Sequence, residues 1–195
     1  MDNAIIDNNL DLVKYYHQNG FEWNKDTYRI AAESCNIEIV KYFHENKCPW
    51  FDDSCCVAAA KSGNLAYLKY AHENGCPWDE ETAYRSAEFG HLDCLAYAHE
   101  QGCPWNKATS QSAAEEGHLE CLKYAYQQGC PCDNDVYFAA VIRGNLDCLK
   151  YAVDNKLPWQ ENSRIWNKKD CLTTAYYNEQ SVIADYIKIC IAQDA

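Results

Sequence analysis

The sequence predicts an all-α protein, an α-solenoid of stacked helix–turn–helix units, and three columns of recurring residues carry that prediction. Cys-Pro-Trp occurs at Cys48-Pro49-Trp50, Cys76-Pro77-Trp78 and Cys103-Pro104-Trp105, with variants at Phe21-Glu22-Trp23, Cys130-Pro131-Cys132 and Leu157-Pro158-Trp159. Successive starts lie 27, 28, 27, 27 and 27 residues apart. A glycine column, Gly63, Gly90, Gly117 and Gly144, keeps the same step, with Asn8 and Cys35 filling it in the first two units. A tyrosine column runs Tyr15, Tyr42, Tyr70, Tyr97, Tyr124 and Tyr151. Columns held in register over this length are the mark of stacked supersecondary units.

Each unit reads as two helices. In Gly90 to Gly102, Leu92, Leu95 and Ala98 form one apolar line and Cys94 and Tyr97 a second. That is a broad apolar face at helical spacing, closed by Gly102 as a left-handed cap and by Pro104. The helix after Trp78 starts at the N-cap Asp79, and the acidic Glu80 and Glu81 complement its dipole. Asn24, Asn106 and Asp133 hold the same cap column. Small pairs at Ala31-Ala32, Ala59-Ala60, Ser86-Ala87 and Ala113-Ala114 let a neighbouring helix approach closely. No alternating run suggests a strand longer than two or three residues. A helix pair this short cannot bury its own apolar face, so the units must stack.

The ends depart from the beat. Residues 1–7 leave room for part of a first helix, which gives a partial unit over 1–23. Beyond Trp159 the next glycine-equivalent is Asn178, which implies a seven-residue insertion, and Val182 and Ile183 begin the last inner helix. The insertion brings Arg164, Trp166, Lys168 and Lys169. Residues 160–195 therefore read as an irregular capping unit of one solenoid domain, 1–195, of about six units.

Composition narrows the function classes. The chain has 195 residues, 48% of them hydrophobic, enough for a packed core. Its 29 Asp+Glu against 17 Lys+Arg, a net charge of −12, argues against nucleic acid and against anionic membranes. No run of 18 apolar residues spans a bilayer. The start MDNAIIDNNL lacks a basic n-region and an apolar signal core, so the 13 cysteines are expected in an intracellular, reducing compartment.

Those cysteines read as packing rather than as a metal site. No C-x-x-C pair exists. The column Cys94, Cys121 and Cys148 continues upstream as Tyr67, Ile39 and Leu12, and the column Cys48, Cys76, Cys103 and Cys130 is bounded by Phe21 and Leu157. A ligand position does not accept leucine or phenylalanine, whereas a core position accepts cysteine as a small hydrophobe. Stacked helices also sit about 8–10 Å apart, too far for a disulfide, which needs Cα atoms within about 7 Å. His17, His44, His72 and His99 form a column continued by Tyr126 and Val153, while His91 and His118 share a position with Asn64 and Asn145. Repetition explains both sets. No phosphate loop, nucleophile elbow or H-E-x-x-H is present, so neither an enzyme nor a cofactor is expected. The Pro-Trp pair ends a helix and lays its indole over the seam between units.

The run Ala113-Ala114-Glu115-Glu116-Gly117-His118-Leu119-Glu120-Cys121-Leu122-Lys123-Tyr124-Ala125 resembles the second helix of the ankyrin repeat, and Gly75-Cys76-Pro77-Trp78-Asp79 resembles its closing turn. Two departures stand out. The first-helix T-P-L-H signature is replaced by Glu81-Thr82-Ala83-Tyr84, and the unit has 27 residues rather than 33, which removes the family's hairpin finger. Short Cys-Pro-Trp repeats of this kind resemble those of giant amoeba viruses and some protists. The resemblance covers roughly residues 8–160. It implies a scaffold that binds a protein partner on its concave face.

In repeat proteins the shared positions hold the stack, and the positions that vary face a partner. The pair before the glycine varies most: Glu33-Ser34, Lys61-Ser62, Glu88-Phe89, Glu115-Glu116 and Ile142-Arg143. Arg29, Val57, Tyr84, Gln111 and Phe138 vary once per unit in the first helix. The candidate partner-binding residues are therefore Arg29, Tyr84, Phe89, Gln111, Glu115, Glu116, Phe138 and Arg143, and the acidic chain suits a partner with a basic surface. A structural subunit of a large assembly such as a virus particle is the second reading. A ubiquitin-ligase adaptor is the third, weakened by the lack of an F-box-like segment after the repeats.

Overall fold

A computed structural model describes residues 1–48, 54–157 and 168–193. Within them the first helices of successive pairs are α1 (Asp2–Ile6), α3 (Lys25–Glu33), α5 (Ser54–Ser62), α7 (Glu80–Glu88), α9 (Lys107–Glu115), α11 (Asp135–Arg143) and α13 (Lys168–Tyr177). Their partners are α2 (Leu10–Gln18), α4 (Ile37–Glu45), α6 (Leu65–Glu73), α8 (Leu92–Glu100), α10 (Leu119–Gln127), α12 (Leu146–Asp154) and α14 (Ser181–Gln193). Each helix packs against its partner. The odd helices also pack in sequence from α1 to α13, and the even ones pack α2 on α4 and then α6 through α12. No strand occurs among the described residues. The architecture is thus all-helical, with seven described pairs stacked along the chain in the manner of a helical-repeat solenoid. Pro49, Trp50, Pro158, Trp159, Arg164 and Trp166 lie outside the described residues.

Local chemistry explains each helix end. Asn24 Oδ1 accepts from the Thr27 amide at 2.8 Å, Asp79 Oδ1 from Glu81 at 2.9 Å, Asn106 Oδ1 from Ala108 at 2.8 Å and Asp133 Oδ1 from Asp135 at 3.0 Å. Each bond satisfies an amide the first helical turn leaves open. At the far end of α8, Gly102 is left-handed with φ +83. Its amide bonds His99 O at 2.9 Å, and the next amide, of Cys103, bonds Ala98 O at 2.9 Å. This closing motif puts an apolar residue directly after the glycine. Cys48, Cys76, Cys103, Cys130 and Leu157 fill that place and are all buried. The columns continue where glycine does not: Lys47 and Lys156 take the left-handed turn in their pairs, as Asn8 and Cys35 do in the other glycine column.

The second glycine column meets a further demand. Besides φ values of +68, +73 and +79 at Gly63, Gly90 and Gly117, a Cβ there would lie 2.4–2.7 Å from His91, His118 or Asn145 of the next pair. Those residues start the even helices. In the early pairs the same position caps its own helix: Asn9 accepts from Leu12 at 3.0 Å and Asn64 from Tyr67 at 3.0 Å. In later pairs the side chain reaches back to the preceding pair instead. His91 Nε2 lies 3.1 Å from Lys61 O, Asn145 Nδ2 donates to Glu115 O at 2.6 Å, and Gln180 Nε2 donates to Ile142 O at 3.0 Å.

That last bond corrects the register of the final pair. Glu179 holds the left-handed glycine position, with φ +58, and not Asn178. The step from Gly144 to Glu179 is 35 residues, so the insertion is eight residues rather than seven. Helix α14 begins at Ser181, before Val182 and Ile183, and is the second helix of its pair. The beat in the sequence could not settle this, because neither Asn178 nor Glu179 is a glycine.

One aromatic set recurs at the first four seams between pairs, and Tyr126 and then Val153 take the place of its histidine further on. His72 stacks on Trp78 at 3.7 Å and His99 on Trp105 at 3.9 Å, with interplanar angles of 14° and 11°. Each histidine then offers Nδ1 to a tyrosine of the next pair: His17 to Tyr42 at 2.9 Å, His44 to Tyr70 at 3.1 Å, His72 to Tyr97 at 3.0 Å and His99 to Tyr124 at 3.1 Å. Lys14, Lys41 and Lys69 sit 5.8, 5.7 and 5.4 Å over the rings of Tyr42, Tyr70 and Tyr97. The tryptophan, histidine and tyrosine columns are therefore one packing unit. In the first pair Leu12 and Phe21 belong to columns that are buried further along the stack, yet they are 37% and 42% exposed. In interior pairs the turn that leads into the first helix of the pair supplies covering atoms, as Cys103 Sγ on Asp79 O illustrates.

Trp105 is half-buried, so Trp105→Ala should cost about 2–3 kcal/mol, below the range for a fully buried indole. A urea midpoint equal to the parent's would contradict the seam. The two glycine columns separate in a second experiment. Gly102→Ala meets open space and should lose only about 1–2 kcal/mol from its left-handed backbone. Gly90→Ala drives a Cβ to 2.5 Å from the His118 ring and should lose clearly more; equal losses would show that His118 moves aside freely.

Candidate protein-interaction surface

The odd helices bring the variable positions into one row, since α3, α5, α7, α9 and α11 pack side by side. Arg29 is exposed on α3, with Nη1 3.3 Å from Glu33 Oε1 on the same helix. Tyr84 is half-buried on α7 and donates its hydroxyl to Glu88 Oε1 at 3.3 Å. The Arg85 guanidinium lies 4.9 Å from the Tyr84 ring centroid and is clamped at 2.7 Å by both Glu81 and Glu88. Burial, and then the Glu88 charge, hold the Tyr84 phenol above its ordinary range. Phe89 ends α7 with 45% of its surface exposed. Gln111 on α9 and Phe138 on α11 are half-buried.

Across the α9–α11 seam three of the candidates meet. Arg143 places Nε and Nη2 each 3.3 Å from Glu115 Oε1, and Nη2 lies 3.4 Å from Glu116 Oε1. Exposed pairs of this kind contribute little to stability, typically under about 1 kcal/mol. They leave a cation and two carboxylates in mutual register on the surface. Arg29 is not part of this group; it lies three odd helices away from α9, and its ion pair is internal to α3.

Two apolar residues of the same row stand outside the candidate set, although one of them, Ile142, belongs to the variable pair Ile142-Arg143. Ile142 is 36% exposed and Tyr177 is 89% exposed. With Glu179 as the glycine-equivalent, Tyr177 falls in the column of Glu115 and Ile142. Reading the register from Asn178 moved that column by one residue. Either register puts Tyr177 in the pair before the turn, so the aromatic Tyr176-Tyr177 ahead of Asn178 was the signal that could have found it.

The histidine and cysteine columns are engaged in packing. Four histidines share a ring nitrogen with a tyrosine across the seams. Burial pushes the Cys48, Cys148 and Cys171 thiols up to about 11, and those of Cys94, Cys103, Cys121 and Cys130 up to about 12. A thiol is a ligand or nucleophile as its thiolate, so these seven are inert near neutral pH. Cys76 differs. It shares hydrogen bonds with Cys55 and Cys56, which draw it below the ordinary thiol range while both of them are raised. Among the described residues no group of three or more His, Cys, Asp or Glu could hold a metal ion, and no helix is long and apolar enough to cross a membrane.

Thiol accessibility gives a direct check of this packing. All 13 cysteines are free, and only Cys35 and Cys132 are more than marginally exposed. Burial pushes Cys132 up to about 11. Ellman's reagent at pH 8 should therefore titrate Cys35 first and at most two thiols quickly in the folded chain, against all 13 in denaturant. Rapid reaction of five or more would mean that the cysteine columns are open to solvent.

No protein-family model matches the chain, and a search of the curated proteins finds no match.

Proposed function

We propose that this chain is an ankyrin-type binding module: a helical-repeat scaffold that holds a protein partner on the variable row of its odd helices and performs no catalysis. One observation carries the reading. The positions shared between pairs are taken up by helix ends and seams, while the positions that differ between pairs, Arg29, Phe89, Glu116 and Arg143, stand exposed on the row. Interfaces concentrate their energy in a few aromatic and arginine anchors, and Tyr84, Phe89, Phe138 and Arg143 are of those types. Tyr177 extends the set to the last pair. The net charge of −12 favours a partner with a basic surface through faster encounter. Thirteen free thiols suit a reducing, intracellular compartment.

The test is affinity capture with quantitative mass spectrometry, using the parent chain and the variants Phe89→Ala, Arg143→Ala and Tyr177→Ala. All three side chains are exposed enough for the fold to survive. Loss of a hot-spot side chain worth 2 kcal/mol or more weakens binding by roughly 30-fold, so at least one variant should lose the partner. A control on an even helix, Glu100→Ala, should keep it. Retention of every partner by all three variants would remove the odd-helix row as the binding surface.

A further inference from the structure

The seam between α8 and α10 departs from the seams before it in one respect. In those, Tyr42, Tyr70 and Tyr97 each carry a lysine ammonium 5.4–5.8 Å over the ring. At Tyr124 the lysine column holds Ala96 instead. The rest of the aromatic set is kept. The His99 ring stacks on Trp105 at 3.9 Å and 11°, and its Nδ1 lies 3.1 Å from the Tyr124 hydroxyl. The ring centroids of Trp105 and Tyr124 are 6.3 Å apart. The charge acting on the Tyr124 phenol is that of the Glu100 carboxylate.

These surroundings favour loss of an electron from the ring. An ammonium over a phenol opposes a growing positive charge, and a carboxylate nearby supports one. A phenol that gives up an electron becomes a strong acid, so oxidation is easiest where a base already holds its proton. A neutral imidazole protonated at Nε2 is such a base at Nδ1. The indole stacked on it is the other readily oxidised ring, and Trp105 is only half-buried, so a small oxidant can reach it. We propose that Trp105, His99 and Tyr124 form a radical sink for inorganic one-electron oxidants such as the carbonate radical anion. The oxidant takes one electron from the Trp105 indole. Tyr124 returns an electron to the indole and passes its hydroxyl proton to His99 Nδ1, which leaves a neutral tyrosyl radical beside an imidazolium. A one-electron reductant such as ascorbate then restores the electron, and His99 gives back the proton. Tyr84 lacks this setting, because its hydroxyl faces Glu88 and the Arg85 guanidinium covers its ring. The triad is separate from the variable row and needs no protein partner.

Pulse radiolysis of the full chain with the azidyl radical, which oxidises indole, tests this. The indolyl absorption should decay as a tyrosyl absorption grows, at a rate independent of protein concentration. Tyr124→Phe should remove most of that fast phase, whereas Tyr15→Phe should leave it unchanged. His99→Phe keeps a ring in the stack and should slow the transfer by about 100-fold, the lower end of what a positioned base supplies. Two readings on the unmodified protein do not depend on any variant folding. The transfer should slow in heavy water, and nitrogen NMR should find His99 Nδ1 without a proton. A proton on Nδ1 would turn the Tyr124 hydroxyl to the Ala96 carbonyl, 3.5 Å away, and would overturn the proposal. So would tyrosyl growth that scales with protein concentration, or a fast phase that survives in Tyr124→Phe.

Discussion

Contact between successive helix pairs is the constraint on which everything else in this chain depends. Nine-residue helices such as α8 and α10 are too short to be stable alone in water, and two of them cannot surround a core. Burial comes instead from the neighbours, so Cys94 and Cys121 are buried while Leu12, which holds their column in the first pair, is 37% exposed. The glycine at the end of α5, α7 and α9 is part of the same constraint. Its missing Cβ is the space into which His91, His118 or Asn145 of the next pair settles, so one backbone position both turns the chain and sets how closely two pairs approach.

The residues that look most like chemistry serve that contact. A histidine column, a tryptophan column and a tyrosine column suggest acid–base groups or a ligand platform when each is read alone. Together they form a single aromatic lock repeated at successive seams, with imidazole stacked on indole and bonded to the next phenol. Cysteine has a similar role. After a left-handed glycine the chain needs a small apolar side chain that fits against the turn opening the same pair, and Cys103 does so with its Sγ 3.1 Å from Asp79 O. Leucine serves at 157 because the requirement is apolar volume rather than sulfur.

What varies is what the stack leaves over. The side chain before each left-handed position is needed neither to end the helix nor to fill the core of the seam, so it is phenylalanine at 89, glutamate at 116 and arginine at 143. This freedom makes the row of odd helices the natural recognition surface. It also explains why an exposed ion-pair group, Arg143 with Glu115 and Glu116, forms there.

The sequence by itself determined the helix pairs, their caps and the burial of the cysteine columns. These rest on local rules: a side-chain acceptor at the N-cap, a left-handed residue at the end, and an apolar stripe at helical period. The variable row was legible too, because repetition separates shared from changing positions. Only the tertiary structure decided that Glu179 rather than Asn178 takes the left-handed turn, which moves Tyr177 from the column of Arg143 to that of Ile142, and that the later seam residues reach backward to the preceding pair instead of capping their own helices. The physical reason is the same in each case. These features depend on where a neighbouring pair places its carbonyls and rings, and a linear pattern carries that information only while its spacing stays regular.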